Sequence, residues 1–591
     1  MACTILCARR RELVALWFPC SSASYERCNA YLIEKLYGED MKFRHSLLSL
    51  CIACHTSVSF AQHQHHGSEG ISSEALGKLG TVHFPISCSA SVQAPFERGI
   101  AMMHSFWYEE ARKQFASVTQ TDSSCAMGWW GLAMTEWRPF WDGIPEDRRK
   151  TGMVEIDKAM ALSVKTDRER RYIAALSGYL HSDPAQNVAA VSAYARGMGA
   201  LSAAYPDDVE AQAFYGLALS AVAALDQNDP IAADRKALAV LTPGFEAHPD
   251  HPGFAHYIIH TCDNPQLALE GLPAAERYAA IAPASPHALH MPGHIFARLG
   301  MWPQDIAANL DSVNASELAA KEHLDGVAHE MHAYEFLLYA YLQDGNDAQA
   351  RKIYDYTEPM IQHLSAIPGI QNDGMYMFTS YMLVEFPSIY HLERHEWKDV
   401  LAIPEPSHPL VSSSYFRLWA MAIAAGHLRD GAAADKAVLA AQSIYKSVEA
   451  EGSPIGAEIN ATFLTMQAWQ DYAHHRDAEA LAKLSTAADA QDRVGQAEVD
   501  IPAREMYGDM LLSEGRATEA LAQYKTALLL SPNRFNGLAG AAHAASAAGS
   551  PAEARGFYRQ LLLVTDGGWA SQRPEIAQAR AYLDKANHAV R

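Results

Sequence analysis

Two histidine-rich motifs in this chain are related by a fixed offset. One reads HPGFAHYIIH at 251–260 and the other reads PHALHMPGH at 286–294. Both members of the first His-x-x-x-His pair recur 34 residues later, as does the proline before it, which places His256 and His260 over His290 and His294 and Pro252 over Pro286. A 34-residue period is typical of a class of helical-hairpin repeat in which each unit contributes two antiparallel helices. The offset therefore predicts stacked helical repeats that aim these histidines at one shared site.

The composition excludes some classes of binding partner, and the histidines are concentrated in the region of these two motifs. Ten of the 27 histidines lie in the 85 residues from His248 to His332 of a 591-residue chain. The formal net charge of −21 argues against nucleic acid and anionic membrane surfaces as partners, because phosphate groups would be repelled. At 49% hydrophobic residues, the chain has ample material for buried cores.

Repeat texture continues beyond the histidines. Paired amphipathic helices are expected from residue 95, and no alternating strand pattern is evident, so we predict an all-α solenoid of helical hairpins wound as a right-handed superhelix, with a disordered N-terminal segment. A proline-rich break at 403–409 separates a His-containing array, 95–402, from a C-terminal array, 410–591. Two C-terminal units match at a 34-residue shift through Gly508, Gly515, Ala520 and Tyr524 in one and Ala542, Gly549, Ala554 and Tyr558 in the other.

The N-terminus has the features of an export signal. Residues 41–61 read MKFRHSLLSLCIACHTSVSFA, which is the basic, apolar and small-residue order of a signal peptide, with cleavage expected after Ala61. We therefore expect residues 1–40 to come from an upstream mis-start; the alternative is a genuine extension with an internal anchor. Residues 62–94 are expected to form a flexible His-containing N-terminus. The predicted product is exported, periplasmic or secreted, with no membrane span in the mature chain.

Cysteine usage agrees with export. Six of nine cysteines lie in the segment that would be removed, which leaves Cys88, Cys125 and Cys262. In an oxidising compartment Cys88 and Cys125 could form a disulfide between the first helices. Cys262 is expected to be buried and inert.

Several segments carry a resemblance to a known group. The chain resembles exported bacterial tetratricopeptide-repeat proteins over roughly residues 83–400, with generic repeats beyond. The resemblance implies a repeat fold and export, and, by analogy of fold, binding of a peptide or protein in the concave groove. It rests on SCSASVQAPFERGIAMMHSFWYEEA (87–111), CAMGWWGLAM (125–134), HPGFAHYIIH (251–260), HALHMPGHIFARLGMW (287–302) and MHAYEFLLYAYLQ (331–343).

The histidine spacing predicts a metal site. Residues four apart share a helix face, and equivalent positions on stacked first helices stand side by side. Pro292 lies between two of the histidines and must leave them facing the same space. Neutral imidazole binds copper and zinc, and an open coordination position would make the site catalytic. The predicted ligands are His256, His260, His290, His294, His332 and Glu335.

Other aromatic and charged residues are assigned to the groove wall as contacts for a substrate. These residues are His104, Trp130, Tyr334 and Arg298. The alternative to the metal-ligand interpretation is that each histidine packs in the core with its hydrogen bonds satisfied.

Two functional hypotheses follow. In the first, the protein is an exported repeat protein whose His-lined pocket binds a transition metal, copper or zinc, and acts as a metalloenzyme on a small molecule. In the second, it is a non-enzymatic scaffold that binds a peptide or protein partner in its groove. The Walker, dinucleotide and Gly-x-Ser-x-Gly motifs are all missing from the sequence, so no reaction is named.

Overall fold

The computed structural model describes most of the chain downstream of residue 76. The described residues are 2–9, 12–19, 77–140, 144–225, 229–322, 324, 327–366, 374–406, 410–450, 457–494, 499–566 and 571–588. The predicted signal peptide at 41–61 and the tail residues 62–76 lie outside them. The chain divides into two units, Met1–Ser68 and Glu69–Arg591.

The first unit contributes one described element, an antiparallel hairpin. Strand β1, Ala2–Arg9, pairs with strand β2, Glu12–Pro19, so that Arg9 lies opposite Glu12. Both strands are rich in β-branched, aromatic and other apolar residues, which favour extended structure. The hairpin precedes the repeat array and is not part of it.

The second unit is helical throughout its described residues, so the prediction of an all-α helical solenoid is confirmed there. Two short 3-10 helices, Ala90–Val92 and Pro184–Gln186, accompany the α-helices. The helices of the first half are α1 Gln93–His104, α2 Tyr108–Thr121, α3 Ala126–Met134, α4 Glu146–Ala161, α5 Asp167–Leu180, α6 Asn187–Ala204, α7 Val209–Ala224, α8 Pro230–Ala247, α9 Pro252–Thr261, α10 Ala268–Ile281, α11 Pro286–His290, α12 Pro292–Arg298, α13 Trp302–Lys321, α14 Val327–Gln343, α15 Asp347–Ser365 and α16 Gly374–Glu393. Those of the second half are α17 Trp397–Ala402, α18 Val411–His427, α19 Gly431–Ala450, α20 Ala457–Ala473, α21 Asp477–Val494, α22 Ala503–Ser513, α23 Ala517–Leu530, α24 Phe535–Ala547, α25 Pro551–Val564 and α26 Pro574–His588. Among the described residues, no helix combines the length and apolar character needed to cross a membrane.

Small residues allow the hairpins to pack closely. The ring of Phe115 fills the space beside both Gly99 and Gly131, and a side chain at either glycine would collide with it. Tyr524 occupies the same place beside Gly508 and Gly540 in the C-terminal array. The recurring glycine-aromatic contact explains the repeat texture of the sequence.

The segment before α1 needs a correction. Its described part, from residue 77 to 94, was expected to belong to a flexible N-terminus. Instead Phe84 is fully buried against Phe96 and Trp130, and its carbonyl accepts a hydrogen bond from the Gln93 side chain at 2.9 Å. Burial of an aromatic ring of this size stabilises the packed state by about 1.5–3 kcal/mol, which contributes to the order of the segment. Further along, Cys88 and Cys125 form a disulfide with Cα atoms 5.1 Å apart, which ties this segment to the start of α3.

The C-terminal repeats pack back on the end of the His-containing array. Trp302 donates its indole N–H to the carbonyl of Asn533 at 2.8 Å, and Gly300 (φ +62°) lies so close to Pro532 that no side chain would fit. Next to this contact, the Arg534 guanidinium is buried between Glu393 (2.7 Å) and Glu505 (2.9 Å). These contacts position the second half of the chain beside the histidines.

Candidate metal centre

Six histidines from α9, α11, α12 and α14 meet in two neighbouring groups of three. We define the first triad as His256, His260 and His287, and the second triad as His290, His294 and His332. Within each triad, one ring nitrogen from each residue lies within 4.8 Å of the others. The triads are adjacent, because the ring centroids of His287 and His290 are 6.1 Å apart and those of His260 and His294 are 6.2 Å apart.

In the second triad, every Nδ1 faces an acceptor. His294 Nδ1 lies 2.8 Å from an Asp263 carboxylate oxygen, and His332 Nδ1 lies 2.7 Å from a Glu335 carboxylate oxygen. His290 Nδ1 lies 2.6 Å from Oδ1 of Asn309. An imidazole whose Nδ1–H donates to such a partner presents an unprotonated Nε2, the form in which histidine binds a metal.

Asn309 has a defined orientation. Its amide nitrogen donates to the backbone carbonyl of Asp305 at 3.0 Å and to the side-chain oxygen of Asp305 at 2.6 Å. The amide oxygen must therefore be the atom that faces His290, so His290 is the donor in that contact.

The Nε2 atoms of His290 and His294 face each other at short distance. Nε2 of His290 lies 2.9 Å from Nε2 of His294. With both rings neutral and donating through Nδ1, two nitrogen lone pairs point at one another, which is repulsive unless a cation lies between them. A second proton on His294, which faces the Asp263 carboxylate, would instead make the contact a hydrogen bond. Two nitrogens bound to one metal ion at about 2.0–2.1 Å in tetrahedral geometry are separated by roughly 3.3 Å. The observed 2.9 Å is shorter than this and equals an ordinary hydrogen-bond distance, so the grouping of the three rings and their Nδ1 acceptors, and not this distance, favour a metal site.

The first triad is built in a related way. His256 donates its Nδ1–H to the backbone carbonyl of His104 at 2.6 Å, and its Nε2 lies 3.1 Å from Nε2 of His287. His287 can donate its own Nε2–H across this contact, so the pair also has an ordinary hydrogen-bonded state. The first triad therefore offers a metal site, but the second triad carries the stronger evidence.

Burial keeps three of these imidazoles neutral, those of His256, His287 and His290. Removal from water lowers the pKa of His256 to about 3, with nearby histidines opposing protonation further. Burial likewise lowers the pKa of His287 and of His290 well below the usual value. Because metal ions bind neutral imidazole, burial of the site prepares the ligands at neutral pH.

The helix around Pro292 keeps His290 and His294 on one face. Met291 has helical dihedral angles (φ −53°, ψ −35°), and Pro292 is the first residue of α12, where the missing N–H costs nothing. The chain thus stays helical through the proline, and the two rings meet as the sequence analysis required.

A further buried group resembles the triads in composition but not in chemistry. Glu210 accepts from Nε2 of His104 at 2.7 Å and from Nε2 of His251 at 3.1 Å. The other nitrogen of His104 accepts from the Tyr257 hydroxyl at 2.7 Å, and that of His251 accepts from the Gly253 amide at 3.1 Å. All four ring nitrogens are used, so this group is structural. His251 is buried here and completes the group.

The residues assigned to the groove wall lie elsewhere. His104 is completely buried and supports the site through its carbonyl, and Trp130 is a core residue packed on Phe84, Tyr172 and Phe214. Tyr334 is buried with its ring 5.5 Å from Tyr356. Each of these three assignments to substrate contact is wrong, because helices distant in sequence cover the side chain.

Arg298 and Glu335 have roles different from those predicted. Arg298 donates to the Asp263 carboxylate at 2.9 Å and to its carbonyl at 3.1 Å, so it holds the acceptor of His294 and not an anionic ligand. Glu335 orients His332 through Nδ1, which makes it a neighbour of the ligand set. Metal-ligating histidines commonly pass their second N–H to such a carboxylate.

His287 was not among the predicted ligands, although it belongs to the first triad. It lies three residues before His290 in α11, and this i,i+3 spacing was the available signal. His329 was also omitted, and its ring lies 5.2 Å from that of His287, next to the first triad. Burial lowers the pKa of His329 to about 4, so this imidazole is neutral too.

A cleft opens beside the second triad. Its cavity volume is about 200 Å³, and it lies between His332 and helices of the C-terminal half, including residues of α18, α20 and α22. Glu335 and Glu385 line it next to His332. Burial, together with the neighbouring Glu335 carboxylate, raises the pKa of Glu385 well above the usual value.

Comparisons with known proteins show a few structural likenesses. No protein-family model matches the chain, and no curated protein matches it. Yeast Tom70 is 11% identical over 84% of this chain and 96% of its own, with a TM-score of 0.33. Ypp1 is 10% identical over 84% and 86%, with a TM-score of 0.39, and the TPR domain of P58(IPK) is 11% identical over 84% and 99%, with a TM-score of 0.19. At this identity and with TM-scores no higher than 0.39, the likenesses carry no functional argument.

Proposed function

We propose that this protein is an exported helical-repeat metalloprotein that holds transition-metal ions in its two histidine triads and acts on a small molecule at that centre. The observation that carries the proposal is the second triad, in which three imidazoles with their protons on Nδ1 converge through Nε2.

The ligand type limits the metal. Three neutral imidazoles without thiolate ligands suit copper or zinc, and ligand type alone does not choose between them. A three-histidine site leaves a coordination position for water or substrate, so a bound ion would supply a Lewis acid, an activated water or redox chemistry. The protein would contribute neutral ligands, fixed ring orientations and an adjoining cleft.

Metal analysis tests the proposal directly. The chain is purified without an affinity tag and with the tail substitutions His63→Ser, His65→Ser and His66→Ser, then dialysed and measured by mass spectrometry of the elements. We expect two metal ions per chain. The double variant His290→Ala/His294→Ala should retain one ion.

A matched control separates ligand loss from general damage. His251→Gln changes a buried histidine whose two nitrogens both have hydrogen-bond partners, and it should leave the metal content at two. Wild-type protein without stoichiometric metal, or equal metal loss in the control and the double variant, would contradict the proposal.

A second candidate function is a scaffold for a peptide or protein. Stacked helical hairpins often present a binding groove, and the cleft beside the second triad gives this chain an open apolar surface. On this alternative the protein holds no metal, and the double variant captures the same partner as wild type from an envelope extract. Metal content therefore distinguishes the two functions.

Export is part of the proposal. It is supported by the residue order at 41–61 and by the disulfide between Cys88 and Cys125, a bond typical of oxidising compartments. N-terminal sequencing of the expressed protein should find Gln62 as the first residue. Recovery of the uncleaved chain in the cytosol would count against it.

A further inference from the structure

The cleft beside the second triad has the walls of a small-molecule site. Four aromatic residues line it, with ring centroids of Tyr381 and Phe416 5.3 Å apart and those of Phe416 and Trp419 5.1 Å apart, and with Phe336 next to the histidines. Phe336 also contacts His290 and His294, at centroid distances of 4.8 and 4.7 Å. The aromatic wall is thus continuous with the second triad.

The described side chains that line the cleft include acidic groups but no lysine or arginine. Glu335, Glu385 and Asp500 contribute the carboxyl groups. Aromatic faces add negative potential of their own, because the ring quadrupole attracts cations. An anion would be repelled from this space, and a cation would be attracted.

One of these carboxyl groups has an unused atom. Glu385 is only 3% exposed, and its Oε2 has no hydrogen-bond partner. A buried polar atom without a partner costs about 1–3 kcal/mol, so such atoms in native proteins call for an explanation. A ligand donor in the cleft would remove this cost.

From these observations we infer that the cleft binds a small molecule with a protonated amine on an aromatic body, its N–H groups directed to Glu385 and its ring against Phe416 and Trp419. This inference rests on the proposed function in that the amine is the substrate class of the metal centre. An ammonium group supplies three donors and a positive charge, which match the carboxyl oxygens and the aromatic faces. The cavity volume of about 200 Å³ suits a small ligand.

Binding of phenethylamine and phenylacetate tests the inference. The two probes share a phenyl ring and differ in the sign of their charge. Isothermal titration of the full-length, metal-free protein should give a Kd for phenethylamine at least tenfold lower than that for phenylacetate. Equal affinities, or tighter binding of phenylacetate, would overturn the inference.

Variants locate the binding. Glu385→Gln keeps the size of the side chain, removes the carboxyl group that would ionise to pair with the ammonium group, and should weaken phenethylamine binding about tenfold, roughly 1.4 kcal/mol. Thr462→Trp places a large ring in the cleft without altering any charge and should abolish binding. Glu246→Gln, on the exposed side of α8, is the matched control and should change nothing. Undiminished binding in both cleft variants would refute the assignment.

The metal-free measurement keeps the two proposals separable. If the amine binds and no metal is retained, the substrate class stands and the metal centre fails. If two metal ions bind and the amine does not, the metal centre stands and the substrate class fails. In the metal-loaded protein, bound phenethylamine should also shift the visible absorption of copper(II) added at the second triad, because the cleft ends at His332.

Discussion

At the residue scale, the role of each histidine depends on which ring nitrogen carries the proton. His104 and His290 are both buried, yet their chemistry differs. Both ring nitrogens of His104 form hydrogen bonds, with Tyr257 and Glu210, so neither is available to bind a metal. His290 donates Nδ1–H to Asn309 and directs Nε2 toward His294. Burial alone therefore does not distinguish a ligand from a packing residue; hydrogen-bond partners do.

The acceptor of His294 can be tested at this scale. Asp263→Ala removes the carboxylate that orients His294 and leaves the ring free to rotate, so metal affinity at the second triad should fall about 10- to 100-fold. Competition titration with a chelator of known affinity measures the change. Asp435→Ala is the control, since Asp435 contacts His474 at 2.8 Å on the exposed surface. Similar loss in both variants would show that Asp263 has no special role.

At the element scale, the contact between α12 and α13 holds the second triad together. Gly293 lies against α13, where an added Cβ would come within 2.7 Å of both the Asn309 amide nitrogen and the Asp305 side-chain oxygen. The close approach brings Asn309 within hydrogen-bond distance of His290. A glycine between Pro292 and His294 is thus a packing requirement of the site.

Substitution of that glycine tests the element. Gly293→Ala should push α13 away, destabilise the fold by about 1–3 kcal/mol and weaken metal binding at the second triad. Urea unfolding and metal titration give the two readouts. Gly178→Ala is the matched control, because Gly178 is a helical glycine with no atom within 4 Å of an added Cβ, and it should raise stability by roughly 0.5–1 kcal/mol. Unchanged metal affinity in Gly293→Ala would argue against the close contact.

At the scale of the whole molecule, the return of the C-terminal repeats creates the cleft. Arg534 joins the two halves, since its guanidinium is shared by Glu393 of α16 and Glu505 of α22 and also contacts the Tyr339 hydroxyl. Together with the contact between Trp302 and Asn533, it fixes the walls contributed by α18, α20 and α22 beside His332.

Loss of the Arg534 side chain should be costly. Arg534→Met leaves two buried carboxylates without their cation, and we expect a decrease of about 3–5 kcal/mol in the free energy of unfolding. Thermal and urea denaturation measure it. In contrast, Arg516→Met removes an exposed pair with Glu519 and should change stability by less than about 1 kcal/mol. A decrease in the free energy of unfolding no larger than that of the control would show that Arg534 does not join the two halves.

The pH dependence of stability has a specific contributor at Asp344. Burial, with the nearby Asp566 carboxylate, raises the pKa of Asp344 to about 7. The unfolded chain releases this proton near its ordinary pKa of about 3.9, so the native state loses stability as pH rises from about 4 to 7. Asp344→Asn should be more stable than wild type by about 2–4 kcal/mol above pH 7, and the difference should vanish near pH 4. Melting temperatures across this range test it, and a constant difference would contradict the assignment.

The sequence by itself determined the local features. Helical periodicity is set by neighbouring residues, so the 34-residue offset and the i,i+4 spacing predicted the all-α fold and the pairing of His290 with His294. The tertiary contacts of these histidines could not be predicted from the sequence. His287 joins His256 because α11 packs beside α9, and Trp130 and Tyr334 are buried because distant helices cover them. Burial and second hydrogen-bond partners arise between residues far apart in sequence, so only the tertiary structure decided which histidines meet in the two triads and which support them.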